Sequence, residues 1–501
     1  MNDQNNYITF ESDQMQVFYL SKEVDSLQYS VGYSVEEDGW KPMGIRHVVF
    51  GGNRGKLSLR AKNEYGTNGA TFMFGTDAEV VCVGDIRTLI KYKEHGREEI
   101  DYDTSKANFK CLFKDCKQLI FPPELYSSEL AEECFQSMFE GCTSLKKAPK
   151  LPALKLAPSC YSSMFKGCRS LIKAPELPAE KLAPNCYSSM FEGCASLKSV
   201  PCYSSMFEGH TVPIMPAKEL AERCYFSMFK GCTSLEEAPE LPAKVLADYC
   251  YESMFEGCTS FTYAQPNLPA IELAIYCYKS MYKNCTALVQ TPSLLARELA
   301  NSCCESMFEG CSSLKKAPKL PAEKLKRKCY LSMFEGCISL INAPALPATI
   351  LAIECYNSMF KGCVSLKYVP ELPAIHLSNY CYSSMFEGCT SLIYAPVLPA
   401  QILVGGCYMR MFANCTSLKV APKLLATKLI GKCYKFMFAD CKSLARVTMM
   451  AIEIESESST KHWLDNTAKS GKLYKNKQTH WEHNVKIPSD WAIVSIDPNS
   501  D

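Results

Sequence analysis

Long apolar runs are missing from this chain. No stretch of its 501 residues approaches 18 consecutive apolar positions, so no segment is expected to cross a membrane as a helix. The start, MNDQNNYITFESDQ, is polar and lacks the apolar stretch of a secretory leader, and the end, SIDPNSD, shows no anchor pattern. An excess of one charge is missing too: 54 Lys+Arg stand against 53 Asp+Glu, a formal net charge of +1. A nucleic-acid partner would want a basic excess. Histidine is scarce, at 7 residues, and in the repeated region described next only His210 and His376 occur. No Walker loop, G-x-S-x-G elbow or H-E-x-x-H is present, and the glycines at 51–55 are too few for a dinucleotide fingerprint. A cysteine nucleophile would need a histidine partner. No catalytic residue, cofactor or metal site is therefore expected. His480 and His483, in HWEH, are read as a surface turn.

Cysteine, by contrast, is abundant. Of 29 cysteines all but Cys82 fall between residues 108 and 441, mostly at two positions of a repeating unit. The unit stands clearly at 381–406, CYSSMFEGCTSLIYAPVLPAQILVGG, and its frame returns at Cys134, Cys160, Cys186, Cys224, Cys250, Cys277, Cys303, Cys329, Cys355, Cys407 and Cys433. A degenerate copy opens at Asn108 and a shortened one at Cys202, giving about 14 frames; a period of about 20–50 residues marks a stacked array. The shortened copy predicts a local defect or kink at 202–223.

Within a unit, Leu182, Cys186, Met190 and Cys194 are four apart, as are Ala183, Tyr187 and Phe191. Two such rows predict a short helix with one apolar stripe. A turn at Gly193, a short strand before Pro201 and a return segment come after it. Each unit buries a handful of side chains, at roughly 2 kcal/mol each. Ordering its backbone costs on the order of 1–2 kcal/mol per residue, so only stacked units fold. The C-x7-C spacing is not a zinc spacing. The cysteines are read as a ladder of small, buried, reduced thiols.

The F-x-G-C-x-S-L core followed by a Pro-rich strand closely resembles the BspA-type leucine-rich repeat family, in its Cys-rich, 26-residue variety. The resemblance covers about 108–444. It implies an α/β solenoid: a parallel-stranded array of about 14 coils, used for adhesion or recognition. It further implies a place on a cell surface or in a virion, with cytoplasmic synthesis and assembly for a phage particle component. A proline follows the strand in most units (Pro149, Pro175, Pro239, Pro318, Pro344, Pro370, Pro396, Pro422), so strands of only two or three residues are expected.

The chain is expected to divide into three domains. Residues 1–107 form a small all-β domain with a charged connector; strands are expected at 7–10, 17–20, 29–35, 47–50, 56–59, 70–74 and 79–83. Residues 108–444 form the solenoid. Residues 445–501 resemble the C-terminal cap of such proteins: a Trp-Leu helix, a Gly-turn strand and an Ile-Pro-x-x-Trp segment, with Trp463, Trp481 and Trp491 covering the last core.

The variable positions are the two after the S-L pair and the one after the Pro. At the second of these stand Tyr263, Tyr368 and Tyr394, beside Gln290 and Asn342. Such residues suit a surface ligand, protein or glycan, and these tyrosines are the candidate binding residues. Tyr368 and Tyr394 are expected to stack one strand apart. The alternative is a purely structural rod or spacer in a surface or virion assembly. The N-terminal domain is the expected attachment to a larger assembly.

Overall fold

The four-residue apolar spacing belongs to a chain that turns every four residues, not to an α-helix. The computed structural model describes residues 7–34, 39–92, 102–200, 214–479, 481 and 485–497, and no α-helix occurs among them. The helix expected in each unit, the helices expected opposite the strands and the α/β class they implied are corrected accordingly. The coil opened by Cys355 shows the reason. The amides of Cys355, Asn357, Met359, Lys361 and Cys363 each donate to the carbonyl three residues back, at 3.1–3.3 Å. The intervening amides of Tyr356, Ser358, Phe360 and Gly362 donate to Cys381, Ser383, Met385 and Glu387 in the next coil, at 2.7–3.0 Å. An α-helix would consume both sets internally.

Glu354, Ser358 and Gly362 sit at φ of 56°, 54° and 72°. Each is the third residue of a turn, where a type II turn requires positive φ. At a non-glycine residue this conformation costs roughly 1–2 kcal/mol. A lone coil could not sustain it, and the lateral hydrogen bonds of the stack offset it. Where glycine is replaced at the third of these positions, Asp115, Asn284, Asn414 or Asp440 stands there at φ of 59–62°. Those are the residue types that tolerate the left-handed region.

The chain divides into two units, residues 1–243 with 254–260 and residues 244–253 with 261–501, described separately below. The first unit begins with strands β1 (Ile8–Glu11), β2 (Gln16–Leu20), β3 (Gln28–Gly32), β4 (Lys41–Pro42), β5 (Val48–Phe50), β6 (Lys56–Arg60), β7 (Phe72–Phe74) and β8 (Val80–Val83). Every strand expected before residue 107 has its counterpart here; β4 is additional. β4-β3-β6-β1-β8 form an antiparallel sheet, and β5-β2-β7 a second one. β9 (Leu119–Phe121), in the first coil, then joins β8 in parallel. The amides of Asn68 and Phe72 take Asn108 and Leu112 as acceptors in the first coil, and Val80 takes Gln118, at 2.7–2.9 Å. The residues up to 107 thus present the first coil with a ready-made edge, and the sheet crosses the 107/108 boundary. Phe10 and Phe72 pack on Phe113 at 6.2 and 5.6 Å, and Phe113 starts a ladder of stacked rings through Phe139, Phe165, Phe191, Phe229 and Phe255.

The shortened frame at Cys202 is not a coil between its neighbours. Coil 186 lies directly on coil 224: Tyr187 donates to Cys224 and Gly193 to Lys230. Phe191 and Phe229 stack at 5.5 Å, the spacing found elsewhere in the ladder. Leu182 donates to Glu219, so residues after 213 complete the coil that Cys186 opened. Residues 186–200 and 214–223 thus belong to one unit, and 202–213, where the shortened frame falls, lie outside the described residues. The expected kink is corrected too, since the ladder runs through without a gap. The coils of this unit therefore open at Asn108, Cys134, Cys160, Cys186 and Cys224.

In the second unit, coils open at Cys250, Cys277, Cys303, Cys329, Cys355, Cys381, Cys407 and Cys433. One more opens at Ser459, where Tyr434, Phe436, Phe438 and Asp440 donate to Ser459, Lys461, Trp463 and Asp465. His462 and Asn466 carry the positive φ of the frame, at 60° and 57°. Trp463-Leu464 therefore lies in a coil rather than a helix, and the coil pattern crosses the 444/445 boundary. Strands are short, as the prolines predicted: β10 (Asn267–Leu268) pairs in parallel with β11 (Ser293–Leu294). Towards the C-terminus they lengthen into a parallel sheet, β12 (Val420–Leu424), β14 (Arg446–Met449), β16 (Gly471–Asn476) and β17 (Trp491–Ile496), while β13 (Lys428–Leu429) pairs with β15 (Glu453–Ile454). Trp463, Trp481 and Trp491 are buried, and their indole N–H groups donate to Lys486, Ala451 and Ala468.

Candidate functional site

Each coil turns a constant set of side chains inwards. In coil 355 these are Cys355, Tyr356, Met359, Phe360, Cys363, Leu366, Leu372 and Ala374, all buried. The second cysteine does more than fill space. Cys389 Sγ donates to the Phe360 carbonyl of the preceding coil at 3.2 Å, and Cys194, Cys363, Cys415 and Cys441 make the same bond at 3.0–3.1 Å. No disulfide joins the described cysteines, and all but Cys111 of them are buried. Burial pushes the pKa of Cys194, Cys311 and Cys441 up to about 12. Such thiols are poor nucleophiles.

With the interior constant, difference is confined to the outside. Two rows of outward residues run along the second unit, in register from coil to coil. In the first, Tyr263 pairs with Gln290, Gln290 with Lys316, Lys316 with Asn342 and Asn342 with Tyr368; Tyr394 pairs with Val420. In the second, Glu272, Glu298, Lys324, Ile350 and His376 succeed one another in the same way.

The three tyrosines singled out from the sequence lie on the first row and are exposed by 62%, 66% and 75%. A ligand can therefore reach each of them. Tyr368 and Tyr394 stand on adjacent coils, whereas Tyr263 lies four coils away. The expected stacking of Tyr368 on Tyr394 is not seen: no ring contact joins them among the described residues. The second row escaped the sequence reading. It carries exposed Ile350 and Ile402, and Ile375 lies just before His376. Variation at the two positions before the last leucine of the unit was the signal that could have found it.

A third row, on the turn side, is charged. Lys283–Glu309, Lys361–Glu335 and Arg410–Glu387 pair across neighbouring coils at 2.9, 3.4 and 3.0 Å. In the first unit Lys114–Glu140, Lys166–Glu192 and Lys230–Glu256 do the same at 3.3, 3.0 and 3.1 Å. That unit also holds an open groove of about 600 Å³ between the N-terminal sheet and the first coil, lined by Tyr19, Met73, Asp77, Lys114 and Lys117. No cluster of His, Cys, Asp or Glu suited to a metal ion occurs among the described residues. His210, His480 and His483 lie outside them.

A model of the BspA-type leucine-rich repeat region matches six copies, over residues 113–211, 279–419 and 330–460, more than half of the chain. The chain belongs to the BspA-type leucine-rich repeat family. No curated protein and no solved structure matches it. BspA-type membership fits a role in protein binding or adhesion and a surface association. Among the described residues, no helix is long and apolar enough to cross a membrane.

Proposed function

We propose that this chain is a non-enzymatic recognition protein. It binds a surface ligand, protein or glycan, through the outward rows of its BspA-type solenoid, as a component of a cell surface or a phage particle. One observation carries the reading: a nearly constant buried frame holds unlike, exposed side chains at fixed outward positions. Tyr263, Tyr368 and Tyr394 are the residues that this reading assigns to contact. The N-terminal sheet, hydrogen-bonded to the first coil, serves in this reading as the array's cap, and any attachment to a larger assembly uses its outer strands.

The test is binding of the purified chain to target cells, with Tyr368 and Tyr394 replaced together by alanine. Both side chains are exposed, so the melting temperature should stay within the range of ordinary surface substitutions, about ±0.5 kcal/mol in stability. Lost binding with an unchanged melt supports recognition by this face. Unchanged binding transfers the contact elsewhere or favours the rod.

A further inference from the structure

We propose that the face carried by the coils opening at Cys329, Cys355 and Cys381 docks an acidic polypeptide. The inference rests on the recognition reading above and gives its partner a chemistry. Ile350, Tyr368, Ile375, Tyr394, Val397 and Ile402 are exposed by 63%, 66%, 52%, 75%, 74% and 79%. All six lie between the S-L pair and the last leucine of their units, and the pairings Asn342–Tyr368 and Ile350–His376 hold the first two of these coils in register. From 341 to 350 and from 393 to 402 there is no charged residue, while the middle coil carries exposed Lys367 and Glu371 beside Tyr368 and Ile375. A concentration of exposed apolar side chains on a free surface marks an interaction site.

The charges on either side indicate what covers it. Coil 303 presents exposed Lys315, Lys316, Lys319 and Lys324 against one acid, Glu323; coil 407 presents Lys419, Lys423 and Lys428 with no acid between Leu418 and Leu429. On the turn side Lys283, Lys361 and Arg410 meet carboxylates of neighbouring coils. Beside the patch, Lys428 pairs with Glu453, while Lys315, Lys316, Lys319, Lys324, Lys419 and Lys423 have no carboxylate partner among the described residues. Two clusters of lysines thus flank the patch; other exposed cations of this unit, Lys326, Arg327 and Lys367 among them, are likewise outside any ion pair among the described residues. A partner with an apolar centre and acidic flanks complements both features. Isoleucine and valine have no group to bond a sugar hydroxyl, and they bury aliphatic side chains. That favours a polypeptide over an anionic glycan.

The experiment selects a display library of random peptides on the full chain. The expected winners carry net negative charge together with aliphatic or aromatic residues. Their affinity should fall about tenfold or more in V397E/I402E. It should fall several-fold when Lys316, Lys319, Lys419 and Lys423 become glutamine, and it should fall with added salt. Winners without acidic bias, winners that bind V397E/I402E as well as the native chain, or no winners at all overturn the proposal. Sialylated and sulfated oligosaccharides are assayed in parallel. Their binding, lost in Y368A/Y394A with no peptide enriched, overturns the polypeptide assignment and leaves recognition by this face standing. Target-cell binding that survives Y368A/Y394A and V397E/I402E alike removes both readings.

Discussion

Raising the pH should dissolve this protein within a narrow window, because its interior is lined with thiols that cannot ionise in place. A thiol in the unfolded chain ionises near 9.0, whereas burial holds Cys311, Cys381, Cys433 and Cys441 neutral up to about 12. The folded pKa is the higher one, so above pH 9 the unfolded chain binds fewer protons than the folded chain. Stability therefore falls as pH rises from about 9 towards 12. Half a unit above 9, each such thiol removes about 0.8 kcal/mol. Thirteen thiols of the second unit are raised in this way, twelve of them chiefly by burial and Cys304 first by its thiol's hydrogen bond to Cys303 and then by burial. Their sum is about 11 kcal/mol, as large as the whole stability of an ordinary domain, about 5–15 kcal/mol. The buried tyrosines, also shifted upwards by burial, add to the loss beyond pH 10. Circular dichroism and thiolate absorbance should be followed together from pH 7 to 11 under reducing, anaerobic conditions. Both should change in one step between about pH 9 and 10. Thiolate absorbance rising near pH 9 with the fold intact would refute the reasoning.

Deleting 202–213 should leave the fold intact, since the coils opening at Cys186 and Cys224 already lie directly on one another. Deleting 186–201 removes buried Cys194, Leu197 and Val200 and should cost about 5 kcal/mol or more; equal melting temperatures for the two deletions would sink the coil assignment. Iodoacetamide at neutral pH should label Cys111 first among the described thiols, read by mass spectrometry, because it alone is partly exposed. Gly362→Asn should melt close to the native chain, since Asn284 and Asn414 hold the same place at positive φ. Gly406→Ala should be worse by more than 1 kcal/mol, because its Cβ would lie 2.4 Å from the Tyr380 ring.

Period, strand length and inward residues were legible in the sequence because each has its own letters. The N-terminal strands were legible through alternation such as Ile8-Thr9-Phe10. The helix was misread because cysteine and methionine four apart, as in Cys186 and Met190, suit both a helix and a coil that turns every four residues. The distinguishing sign was Ser or Asn, Ser and Gly at four-residue steps, as in Asn185, Ser189 and Gly193, which marks left-handed positions rather than a stripe. The frame at 202 misled because CYSSMFEG at 202–209 is identical to 186–193. The next four residues separate the two: Cys194-Ala195-Ser196-Leu197 completes a core, and His210-Thr211-Val212-Pro213 does not. The coil at Ser459 was missed because it repeats the backbone without the letters. The tyrosines were legible as outward, but Ile350 and Ile402 were not, since an exposed aliphatic residue reads as core until its coil is built.

The turn-side charges give the first unit a means of counting. Every coil offers its neighbour almost the same tyrosine, methionine and phenylalanine, so the core cannot tell the adjacent coil from the one beyond it. Charge can. In the first unit the positions before the glycine, or before Asp115 in the first coil, run Lys114, Glu140, Lys166, Glu192, Lys230 and Glu256. Skipping one coil sets like beside like; skipping two restores the alternation. The row is thus a parity check on assembly, blind to even errors and sensitive to odd ones. The extra octapeptide carries Glu208, and admitting it as a coil would place that residue after Glu192, in breach of the count.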